Sequence, residues 1–185
     1  ITYFNTSSRG NAIMFGELGF AQYSTCGGAS NQTRGLIQGT SEPSSNDQKV
    51  EYFTMASEGN GITFGELTTG RGYTSGTASA TRSLCAGGFT PSITNLIDYV
   101  EIATIGNHQD FGDLSTARSI PGATNTPVRS VFINGGAPST PSNGAVIDFV
   151  TTASLGNAID FGSLGIGGNR SVSSHANHTR AVTAT

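Results

Sequence analysis

The chain has 185 residues, enough for one domain with a real core, and a net charge of −3. Only 11% of the residues are charged and Lys49 is the single lysine, which argues against a nucleic-acid groove; no apolar run approaches the length of a membrane-spanning helix. Gly, Ser, Thr, Asn and Ala fill most of the space beside the 35% of hydrophobic residues, a balance that suits short strands and many turns and does not suit helices.

In chain order, the first element is Ile1-Thr2-Tyr3-Phe4, followed by Gly10-Asn11 and then Ile13-Met14-Phe15-Gly16-Glu17-Leu18. The same wording returns from Val50 to Leu67, from Ile97 to Leu114 and from Ile147 to Leu164, so the repeats begin at 1, 50, 97 and 147. A period of this size marks propeller blades or a stacked array. Within each copy, a segment such as Ile97-Asp98-Tyr99-Val100-Glu101-Ile102 alternates apolar and polar residues as a half-buried strand does. The Gly-Asn pair that follows predicts a tight hairpin turn. A second short strand carries Phe15, Phe64, Phe111 or Phe161. A variable Ser/Thr/Gly-rich stretch comes next, with a weaker strand expected near Ala117-Arg118-Ser119. The last segment opens on Arg34, Arg82, Arg129 or Arg180 and runs into a glycine turn, Gly87-Gly88 or Gly135-Gly136, with a lone Gly39 in the first copy.

Four short strands per repeat predict a single all-β domain over 1–185, a small β-propeller of four blades. The phase of the repeats adds an expectation: Ile1 and Thr185 bracket one blade, closed within the molecule or between subunits. The chain opens on Ile1 without Met and shows no signal peptide, as a processed or partial chain would.

Gly87-Gly88, Tyr99, Phe111 and Ala117-Arg118 together resemble a kelch repeat, with Phe where kelch blades usually carry Trp. The wording Ile97-Asp98-Tyr99-Val100, Ile102-Ala103-Thr104, Gly106-Asn107 and Asp110-Phe111-Gly112-Asp113-Leu114 is more specifically similar to the kelch-like repeats of phage structural and tail-fibre proteins, aquatic phages in particular. The resemblance covers essentially the whole chain. It implies a non-enzymatic part of a phage appendage or other extracellular assembly, placed at the virion surface or outside the cell. Its partners would be copies of itself and a host-surface glycan. A self-assembling filament subunit and a lectin-like module are the alternatives.

Features seen four times build the fold, so contacts are expected where the copies differ: Phe20–Asn31, Gly70–Ala80, Pro121–Thr126 and Ile166–Asn177. Tyr23, Arg71 and Tyr73 are the residues there suited to stacking on a sugar or pinning a partner. His175 and His178 stand in a divergent loop, yet no Cys, Asp or Glu lies near them and two ligands do not make a metal site. No metal or cofactor is expected. The repeated arginines read as structural, pairing with Glu17, Glu66 or Asp113 or with carbonyls between blades. Asp98, Asp110, Asp148 and Asp160 show no convergence of two carboxylates of the kind glycosidases need. His108, in a Gly-Asn turn, is expected to face water. Cys85 is expected inside a strand and buried, Cys26 in a loop. Four Asn-x-Ser/Thr sequons (Asn5, Asn31, Asn169, Asn177) are what this composition yields by chance.

Overall fold

A computed structural model describes residues 1–22, 26–41, 46–119, 121–136, 145–165 and 173–184. All regular structure among them is β. β1 (Thr2–Tyr3) and β2 (Ile13–Met14) form a two-stranded hairpin. β3 (Gly27–Ser30), β4 (Arg34–Ser41), β5 (Asn46–Thr54) and β6 (Ile62–Glu66) form a four-stranded antiparallel meander, the first sheet. β7 (Ser75–Ala78) and β8 (Arg82–Ala86) open the second sheet. A small hairpin of β9 (Phe89–Thr90) and β10 (Ser92–Ile93) follows, and β11 (Leu96–Glu101) and β12 (Gln109–Asp113) complete that sheet. The third sheet is β13 (Gly122–Asn125), β14 (Arg129–Ile133), β15 (Val146–Thr151) and β16 (Ile159–Ser163). β17 (Ser173–Ala176) and β18 (Ala181–Ala184) form a last hairpin.

Each whole sheet therefore repeats one meander of four strands. The first strands β3, β7, β13 and β17 follow one another side by side, and no comparable contact brings β17 round to β3. No closed ring is formed among the described residues: β1–β2 and β17–β18 are separate sheets, and the expected blade shared by the first and last strands is not made. The physical reason lies in where each hairpin is held. β1–β2 is bound to the first sheet, where the Gly59 N–H donates to the Phe15 carbonyl (2.9 Å), while β17 packs on β13 of the third. Thr185 lies outside the described residues.

The core lies between sheets. Leu36, Val50, Phe64 and Leu67 of the first sheet close on Ala78, Cys85, Val100 and Ile102 of the second. Leu84, Ile97, Phe111 and Leu114 of the second close on Phe132 and Val150 of the third. Tyr52–Phe64 and Tyr99–Phe111 meet edge to face, with ring centroids 5.8 and 5.9 Å apart. Burial of these side chains stabilises the stack by about 25 cal/mol per Å² of apolar surface covered.

Three local expectations are corrected. The first strand of each sheet lies inside the stretches read as variable loops; its Gly, Ser, Ala and Thr residues give little strand signal, and small side chains suit the crowded inner position. Ala117-Arg118-Ser119 is not a strand; only Ser119 makes a single bridge, to Gly136. The tight turns expected at Gly-Asn come earlier, where Ser57, Thr104 and Ser154 N–H groups donate to Thr54, Glu101 and Thr151 carbonyls. The position five residues after the repeated arginine is left-handed in all three whole sheets, with φ of 76° at Gly39, where the β4–β5 register shifts within β4, and 64° at Gly87 and 55° at Asn134, just after β8 and β14. Glycine or asparagine there follows from the steric cost of a Cβ at positive φ.

Candidate functional site

The structure's repeated chemistry is at the junctions between sheets. The Gly-Asn segments lie along the outer strand of the preceding unit. The Gly106 and His108 N–H groups donate to the Phe64 and Glu66 carbonyls (3.0 and 2.8 Å), and Asn107 Oδ1 accepts from the Glu66 N–H (3.1 Å). The same three bonds recur with Gly59, Gly61 and Asn60 on Phe15 and Glu17, and with Gly156, Ala158 and Asn157 on Phe111 and Asp113. The approach is so close that a Cβ at Gly16, Gly65 or Gly112 would stand 2.0, 2.2 or 2.5 Å from the facing carbonyl oxygen.

A second clamp carries the buried charge. Asp98, the second residue of the strand pattern that begins at Ile97, sits where the β11–β12 register shifts by a bulge. Its carboxylate accepts from the Thr68 N–H (3.0 Å) and Oγ1 (2.8 Å) and pairs with Arg71 Nη1 at 2.9 Å; both side chains are buried. Arg71 also donates to the Gly87, Thr69 and Cys85 carbonyls. One unit on, Asp148 accepts from the Ser115 N–H and Oγ and pairs with Arg118 Nη2 at 2.8 Å. Burial pushes the Arg118 pKa down, and Asp148 opposes the shift. Its Nε and Nη1 have no hydrogen-bond partner among the described residues, so this clamp is less completely satisfied than the Arg71 one. In the first unit, Glu51 accepts from the Gly19 N–H at 2.9 and 3.1 Å.

Arg71 is thus a correction to the sequence reading. It does not point at solvent to pin a partner; it is fully buried and joins two sheets. The sequence held the signal: an Arg four residues beyond Leu67 and again beyond Leu114, with Gln22 at that place after Leu18. Tyr73, at φ 57°, is half-buried just before β7. Tyr23 falls outside the described residues. His175 is exposed on β17 rather than in a loop, and His178 is exposed in the turn after it. Tyr73 and His178 therefore stand at opposite ends of the first strands and do not share a site. No cluster of His, Cys, Asp or Glu able to hold a metal exists among the described residues.

Two of the repeated arginines, Arg34 and Arg82, bind carbonyls across the junctions, as one branch of the expectation had it. Arg34 Nη1 donates to Ile102 O (2.7 Å) and Arg82 Nη1 to Thr152 O (3.1 Å), while their guanidinium groups lie over Tyr52 and Tyr99. Arg129 lies over Phe149 in the same way. Arg82 also pairs with Glu101 rather than with the expected Glu66 or Asp113. Asp98 and Asp110 are register partners, yet one carboxylate is buried in a clamp and the other accepts from the Gly112 N–H at the surface. They make no acid–base pair.

His108 is the second correction. Instead of facing water it is 5% exposed, with Nε2 2.8 Å from Gln38 Oε1, which also accepts from Ser83 Oγ (3.1 Å). With the proton on Nε2, Nδ1 is a buried acceptor without a partner among the described residues. Burial lowers the His108 pKa from 6.5 to about 4; Asp98 opposes the shift and Arg71 adds to it. A group buried neutral binds its proton first in the unfolded state. Its contribution to stability is therefore whole above pH 6.5 and declines as pH falls toward 4. Denaturation midpoints measured between pH 7.5 and 4.5 should fall with pH, and His108→Gln should flatten that part of the profile.

Two open spaces lie where units meet. The turns that follow β3, β7, β13 and β17 ring a cleft of about 730 Å³ lined by Asn31, Ser79, Thr126, Asn177 and His178 among others. Its amides are partly engaged: Asn31 donates to Ala80 O and Asn125 to Ala78 O of the neighbouring unit. A groove of about 650 Å³ separates the third sheet from β17–β18 and is largely apolar, with Val131, Ile133, Ile147, Phe161 and Leu164 along it. Set against family models and curated proteins, the chain matches none. Among the described residues no helix is long and apolar enough to cross a membrane.

Proposed function

We propose that these sheets are blades of a kelch-like β-propeller, and that the protein is a non-enzymatic structural and adhesive part of a phage appendage or comparable extracellular assembly. The observation that carries this reading is the fate of the buried charge. Asp98, Asp148 and Glu51 are all turned onto backbone and arginine groups of the adjoining unit, so the chemistry of the repeat goes into joining blades. The side-by-side first strands and the repeat wording support the propeller assignment. What then differs between copies is the connecting loops and turns, which suit contact with a surface. Adhesion would come from many weak copies acting together.

The ring of neutral Asn, Ser and Thr side chains around the cleft favours a glycan as the surface ligand. The test compares purified protein, free and displayed in many copies on beads, on host-surface polysaccharide. The expected result is retention of the beads, little retention of free protein and no release of reducing ends. Hydrolysis of the polysaccharide would overturn the reading.

A further inference from the structure

We infer that the apolar groove between the third sheet and the β17–β18 hairpin receives the β1–β2 hairpin of a second copy of this chain. The inference deepens the structural reading above, on which it rests, by naming a partner and the contact it uses.

The groove is the fourth instance of a junction that is filled at the other places. Phe64 and Phe111 are 1% and 3% exposed because the next unit covers them; Phe161, at the same position, is 58% exposed. A Cβ at Gly16, Gly65 or Gly112 would meet the next unit's Gly-Asn segment within 2.5 Å, whereas nothing lies within 4 Å of one at Gly162. So the strand edge at Phe161–Ser163 keeps the receptor pattern without the segment that docks on it.

The β1–β2 hairpin carries what is missing. Its Gly10-Asn11-Ala12 aligns with Gly106-Asn107-His108 and Gly156-Asn157-Ala158. By the bonding of those segments, Gly10 and Ala12 N–H groups would donate to the Phe161 and Ser163 carbonyls, and Asn11 Oδ1 would accept from the Ser163 N–H. Phe4 occupies the place of Val100 and Val150, each buried in a junction core, yet it is 66% exposed. Seated in the groove it would meet Phe161 and Leu164 as Val100 meets Phe64 and Leu67. The register Leu36↔Tyr52, Leu84↔Tyr99 and Val131↔Phe149 carries over as Val182 opposite Tyr3, so β1 completes β18 as a third strand.

A second copy is favoured over the chain's own hairpin by position. Within one molecule β1–β2 is held on the first sheet, through Gly59 on Phe15 and the Phe15–Phe53 ring contact at 5.6 Å; β1 and β18 fall in separate sheets, and Phe4 and Phe161 stay 66% and 58% exposed with the chain's own hairpin present. A contact of this kind is heterologous, groove to hairpin, and builds a ring or a filament.

The test mixes two full-length chains in a Cys26→Ser background, one carrying Tyr3→Cys and the other Val182→Cys, under mild oxidation. The expected product is a disulfide-linked pair containing one of each. Phe4→Asp should weaken self-association seen by sedimentation at least about tenfold while leaving the circular dichroism unchanged. No mixed product, or a doubly substituted chain that closes at the mass of a monomer in dilute solution, overturns the inference. Beads bearing the Phe4→Asp chain report on adhesion separately: if they still bind the host polysaccharide while the mixed product fails to form, only the docking is lost.

Discussion

Asp98→Ala should lower the unfolding free energy by about 3–5 kcal/mol, because it strands the buried Arg71 guanidinium without its counter-charge. For a domain of this size that corresponds to a fall in Tm of roughly 10 °C. The carboxylate also holds the Thr68 N–H and hydroxyl, so the second sheet loses its grip on the loop that leads out of the first. A paired change, Asp98→Leu with Arg71→Met, removes both charges and should recover most of the loss, which separates the cost of an orphaned charge from the worth of the pair. Arg118→Met should cost less than Arg71→Met, since two of the Arg118 nitrogens have no partner among the described residues whereas Arg71 also serves three carbonyls. Thermal melts of the four variants check all of this.

Gly65→Ala is expected to cost about 1–3 kcal/mol although only one methyl group is added. That methyl would stand 2.2 Å from the Gly106 carbonyl oxygen, and backbone on both sides leaves it nowhere to go. To admit it, the Gly106-Asn107-His108 segment must lift away, and its three bonds to β6 of the first sheet lengthen together. Gly59→Ala is the control: nothing lies within 4 Å of its Cβ, and it should change stability by less than about 0.5 kcal/mol. Chemical denaturation of both variants decides the matter; equal losses would mean that the close approach is not what the glycine serves.

Much of the fold was legible because the repeat wrote it several times. The strands at Val50, Ile97 and Ile147 and those carrying Phe64 and Phe111 stand out by alternation, and the all-β class follows from them. The innermost strands were not legible, since Gly27-Gly28-Ala29-Ser30 or Ser75-Gly76-Thr77-Ala78 reads locally as loop. Their small side chains are selected by a neighbouring sheet, which local propensity does not see. The candidate site was legible in part. Asp98 and Asp148 read as acids and Arg71 as a loop cation, but they are far apart along the chain, so nothing local shows that Asp98 and Arg71 meet. The burial of His108 is illegible for the same reason: its Gly-Asn context belongs to a surface turn, and it is Gln38 of the adjoining sheet, itself held by Ser83, that meets its ring.

By itself, then, the sequence determined the period, the strand chemistry and the positions of the glycines, because these depend on residues close together in the chain. The tertiary structure decided what the repeated residues are for. Gly-Asn pairs became edge clamps, acids and arginines became buried junctions, and the expected single blade at Ile1 and Thr185 became two separate hairpins. Each of those outcomes depends on groups brought together from different repeats, where burial and the need to satisfy every buried charge and backbone amide outweigh local preference.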